Sequence, residues 1–126
     1  MLALAGSVAL LLAGCSAGPH RSGAQAAAQS FVAALERGDG AAACRLLLPK
    51  AAEAVPGATD ASCAEAIKSV SENGTSASSV QVWGSAAQVR IGSDVLFLQR
   101  VSGRWLVDAA GCKPQPVGPY SCQVSG

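Results

Sequence analysis

The sequence predicts an α+β domain: helices come first and pack on an antiparallel sheet of about four strands, and a short apolar leader precedes both. Three observations carry this. Between residues 24 and 70 apolar side chains recur with a helical period. Past Ser79 the period changes to two, and turn signals that pair Gly with Ser (Gly84-Ser85, Gly92-Ser93, Ser102-Gly103) punctuate the alternation as an antiparallel meander requires. Hydrophobic residues make up 50% of the 126-residue chain, enough for one core and one domain.

The first element is the leader. Leu2–Ala13 carries no charge and is interrupted only by Gly6 and Ser7, the character of a signal peptide's apolar region. As a helix, residues 2–13 would reach roughly 18 Å at ~1.5 Å per residue, well short of the ~30 Å hydrocarbon core of a bilayer. At its end, Leu12-Ala13-Gly14-Cys15 resembles the lipobox of bacterial lipoproteins, an apolar residue and two small ones before an obligatory cysteine. The resemblance implies that residues 1–14 are a signal peptide and that Cys15 is lipidated. The mature chain would then be anchored to the extracytoplasmic face of the cell membrane. Signal peptides usually open on Lys or Arg, whereas only Met1 and Leu2 precede this apolar run, so the expected start lies upstream. Residues 15–23 read as the lipidated cysteine and a flexible tether, small and polar, with His20 and Arg21 solvated. Fully stretched, the tether would reach about 28 Å.

The domain is expected over residues 24–126. A first helix starts at Ala24, with Ala28, Phe31, Val32 and Leu35 on one stripe, and Gly38 ends it. Asp39 is the expected cap of a second helix through Leu48, which Pro49 closes or redirects. A short helical turn is expected over 51–55. Pro56-Gly57 then breaks the chain, and Thr59 or Asp60 caps a helix that ends at Asn73-Gly74. Strands are expected at Val80–Trp83, Ala87–Ile91, Val95–Leu98 and Arg104–Val107, the third apolar on both faces. Pro114, Pro116 and Pro119 keep the last segment from being a central strand, so it reads as a loop closed by Cys112 and Cys122.

Setting Cys15 aside leaves Cys44, Cys63, Cys112 and Cys122, an even number suited to an oxidising compartment. Three pairings are possible. Joining near neighbours favours Cys44–Cys63 with Cys112–Cys122. No Cys-x-x-Cys occurs and the one histidine, His20, falls in the tether, which argues against zinc and against a Ser-His-Asp triad. The net charge of +1, without dense charge runs, argues against a nucleic-acid partner. Gly38-Asp39-Gly40 joins helices and is too short for a phosphate loop. Asn73-Gly74-Thr75 fits a glycosylation sequon but reads as a helix-ending turn. Trp83 and Trp105 are expected on opposite faces of the sheet, packed in the core.

Phe31–Ala42 with its Gly-Asp-Gly, followed by Cys44 and Cys63, and the stretch Gly103–Cys112 with its Gly-Arg-Trp-Leu-Val together resemble small actinobacterial lipoproteins of the nuclear-transport-factor-2-like (SnoaL-like, cystatin-like) superfamily. The resemblance covers roughly residues 24–112. It implies a cone-shaped sheet around helices with a pocket between them, where enzymatic members place Asp, His or Tyr as acids and bases. This domain has no histidine past residue 20, and the carboxylates nearest the strands, Asp94 and Asp108, read as exposed or capping groups. Tyr120 reads as a packed aromatic. The expectation is therefore a membrane-tethered, non-enzymatic binding domain of the cell envelope without cofactor, in contact with an envelope protein through the sheet's concave face or the 112–122 loop. The alternatives are a small isomerase- or cyclase-like enzyme, or a carrier for an apolar ligand.

Overall fold

The computed structural model describes residues 18–74 and 76–126. The leader and Cys15 fall outside the described residues, as does Thr75.

Helix α1 spans Gly18–Glu36, so helix begins where tether was expected. Gly18, Ser22 and Gly23 are poor helix formers, and tertiary contacts override that preference. The His20 ring lies 3.2 Å from an Arg100 guanidinium nitrogen. Gly23 is so close to the Trp105 ring that a Cβ there would stand 3.0 Å from it. Pro19 falls in the first turn, where a missing N–H leaves no bond unmade. Farther along, Ala24, Ala28, Phe31 and Val32 are buried as the stripe predicts.

Gly38, at φ 68°, lets the chain leave the helix. Asp39 then caps α2 (Gly40–Arg45), its carboxylate accepting from the Ala42 N–H at 3.0 Å. This helix stops short of Leu48 because the chain turns to serve the sheet. Val107 N–H donates to Leu46 O at 2.7 Å and Leu48 N–H to Val107 O at 2.9 Å. Pro49 therefore opens a helix, α3 (Pro49–Glu53). The next, α4 (Cys63–Ala66), is capped by Ser62, whose Oγ accepts from Glu65 N–H at 3.3 Å, in place of Thr59 or Asp60. It tightens into a single 3-10 turn at Ile67–Ser69, and Val70 is already extended, so the helical stretch ends before Asn73-Gly74.

The sheet follows: β1 (Ala77–Trp83), β2 (Ala86–Ile91), β3 (Asp94–Val101), β4 (Arg104–Cys112) and β5 (Val124–Ser125). Neighbours in sequence are neighbours in space, all antiparallel. Ser102 and Gly103 both take positive φ, 51° and 78°, as a two-residue type I′ hairpin turn demands. The fifth strand was not expected. It is two residues long and lies at the edge, where the preceding prolines do not interfere.

Both faces of β3 are covered over its first half. Toward the helices, Leu96 and Leu98 join Val89, Ile91, Val107 and Val124 against Phe31, Val32 and Ile67. On the outer face, Val95, Ala109 and Cys112 are buried beneath Phe97, Tyr120 and Cys122, because the segment after β4 folds back over it. That explains the apolar stretch Val95–Leu98. Two expectations fail here. Trp83 lies on the outer face at the strand's end and is 57% exposed, while Trp105 fills the core at 8%. Asp94 is 0% exposed, since the alternation that sends Val95 and Phe97 outward turns it inward.

Candidate functional site

The outer sheet face and the returning chain enclose a groove of about 390 Å³, with Phe97, Ala109, Pro119 and Tyr120 as its apolar wall and Gln99 and Asp108 as its polar one. Tyr120 is held edge-on against Phe97, ring centroids 5.1 Å apart at 78°. Its hydroxyl accepts from Gln88 Nε2 at 3.4 Å. A disulfide, Cys112–Cys122, closes the segment that carries it. The second, Cys44–Cys63, joins α2 to α4. Asp108 projects outward from β4 where the pairing with β3 shifts register, and Gln99 Nε2 donates to its Oδ2 at 3.4 Å. Beyond these two residues the groove continues into a hollow of about 560 Å³ against Leu48, Pro49 and Lys50. The result is an open trough, apolar at one end and with a lysine at the other.

Of the residues singled out from sequence, Asp108 and Tyr120 thus come together on one surface. Asp94 is elsewhere, on the helix side at the opposite end of β3. His20 reaches Arg100 and neither carboxylate. A third cleft of about 370 Å³ has Arg37, Arg45 and Arg104 among its walls, all exposed.

The group that sequence reasoning missed is Glu72. Its Oε1 accepts a short bond, 2.6 Å, from the Gly111 N–H. Asp94 Oδ2 accepts from the Asn73 N–H at 3.0 Å. The remaining oxygens, Glu72 Oε2 and Asp94 Oδ1, are buried and lack a donor. The Asp94 carboxylate stands close enough to Glu72 for its charge to favour the protonated glutamate. Burial raises the Glu72 carboxyl from 4.5 to about 7; the Gly111 N–H pulls it back, and the charge and hydrogen bond of Asp94 add to the rise. Lys113 stands 4.0 Å from Asp94 Oδ1, its own side chain 57% exposed. No local signal marks Glu72, because a glutamate before Asn-Gly looks like a solvated helix end.

Among the described residues no three His, Cys, Asp or Glu side chains are grouped to hold a metal ion. Also among them, no helix is long and apolar enough to cross a membrane. No protein-family model, curated protein or solved structure matches the chain.

Proposed function

We propose that the chain is a lipoprotein held on the extracytoplasmic face of the cell membrane by acyl chains on Cys15. Its domain, a distant nuclear-transport-factor-2-like cone, is a non-enzymatic binding module for an envelope protein. The observation that carries the reading is the groove between the 112–122 segment and the outer sheet face. It pairs an apolar wall with the polar Asp108–Gln99 bond, as protein contact surfaces do. The groove also replaces the concave face as the contact surface, since α1 occupies the sheet's helix side. Two disulfides suit an exported chain. Against catalysis by Asp108 stands its open position and the distance of His20 from it.

Photo-crosslinking side chains placed at Gln99 or Pro119 test this in cells. A discrete adduct from both positions is expected, lost on Tyr120→Ala and absent when the crosslinker stands at Glu65 on α4. Equal adducts from Glu65, or none from the groove, would refute it. The apolar wall also fits a carrier of an apolar ligand. That second reading predicts a co-purifying small molecule of constant mass in detergent-free native mass spectra, displaced by Tyr120→Ala.

A further inference from the structure

We infer that the end of the sheet bearing the β1–β2 and β3–β4 turns is a membrane-contact face, where Trp83 and Val101 enter the headgroup region of an anionic phospholipid surface. The inference rests on the reading of Cys15 as the lipid-bearing residue.

The first argument is length. Because α1 begins at Gly18, only Ser16 and Ala17 separate it from Cys15. Three Cα steps span about 11 Å at most. The expected long tether is therefore gone, and the start of α1 is held beside the bilayer surface.

The second argument is placement. His20 is 3.2 Å from an Arg100 nitrogen and Gly23 abuts Trp105, so the helix starts over the residues on either side of the Ser102-Gly103 turn. Arg100 N–H donates to Ser85 O at 2.7 Å, which draws the β1–β2 turn to the same end. Whatever holds Cys15 at the membrane holds both turns close to it.

The third argument is composition. Three large hydrophobic side chains are exposed among the described residues, and two of them, Trp83 at 57% and Val101 at 45%, flank these turns. Both point to the outer face, on β1 and β3, roughly 12 Å apart across two strand spacings and two residues along the strand. Tryptophan suits the interface, where its ring meets acyl chains and its N–H meets water and headgroups. Arg21, Arg100 and Arg104 lie at this end, and segments 18–35, 76–93 and 95–107 contain no Asp or Glu. A positive, tryptophan-bearing face beside a lipid anchor is complementary to an anionic bilayer. The buried carboxyl pair lies at the far end of the sheet.

The test uses the full chain, extracted from the membranes in which it was made. The protein is reconstituted into vesicles of phosphatidylglycerol and phosphatidylcholine, and its N-terminal peptide is read by mass spectrometry. Acyl-brominated phosphatidylcholine should quench the emission component that Trp83→Phe removes, while aqueous iodide should lose access to it on vesicle binding. Trp105 serves as the internal reference. Acylated Cys15 with Trp83 still open to iodide overturns the contact face and leaves the anchor standing. Quenching by brominated lipid without acyl mass on Cys15 supports the face and refutes the anchor. Iodide access with no acyl mass refutes both.

Discussion

Glu72, in the segment before β1, and Asp94, at the start of β3, meet where the second oxygen of each is buried. Asp94 follows a Gly-Ser turn and so reads as exposed, yet the pleat of β3 turns it inward and the Asn73 N–H accounts for one oxygen. Glu72 is tied to Gly111, beside the root of the 112–122 segment. Lys113 faces Asp94, and Lys68 and Glu36 share the hollow beside Glu72. The raised value gives a definite sign. Between pH 4.5 and about 7 the folded chain keeps a proton that the unfolded chain has released, so stability falls as pH rises through this window and levels off above it. Glu72→Gln removes that titration. Its thermal midpoint should hold steady from pH 5 to 7.5 while that of the parent chain declines; parallel curves would show that Glu72 does not titrate in this window.

The helices divide by how local their signals are. The start of α2 was legible because Asp39 bonds the Ala42 N–H three residues on, an interaction that needs only sequence spacing. The start of α1 was not, because its first turn depends on Trp105 and Arg100, some eighty residues later. The same holds for β5, which exists through its pairing with Ala109 and Ala110. Gly40 shows what packing adds to a local signal. A Cβ on it would collide with the Ala64 carbonyl of α4, the helix that Cys44–Cys63 joins to α2. Gly40→Ala should therefore cost about 1–3 kcal/mol in denaturant unfolding. A loss under about 0.5 kcal/mol would mean that the two helices separate freely.

For the whole molecule, the disulfides hold the margins of the sheet assembly. Cys44–Cys63 spans 19 residues and ties α4 to the helical layer, where α4 is too short to hold by itself. Replacing both cysteines by serine should lower the unfolding free energy by about 3 kcal/mol. An unchanged transition would place the helical layer's stability in its apolar contacts alone. The meander, the helix-first order and the apolar double face of β3 were legible from residue periodicity, because burial on one face or two leaves a direct imprint on which residues alternate. Asp108 and Tyr120 could be named as chemical groups without any sign that they share a groove. So the sequence by itself determined the four longer strands, the helix-first order and the cap of α2, since these depend on neighbours within one or two turns of chain. Only the tertiary structure decided that Tyr120 meets Phe97, that Glu72 meets Asp94 and that Trp83 stays outside. Each depends on strand register and on where the returning chain lies, and no short-range pattern encodes either.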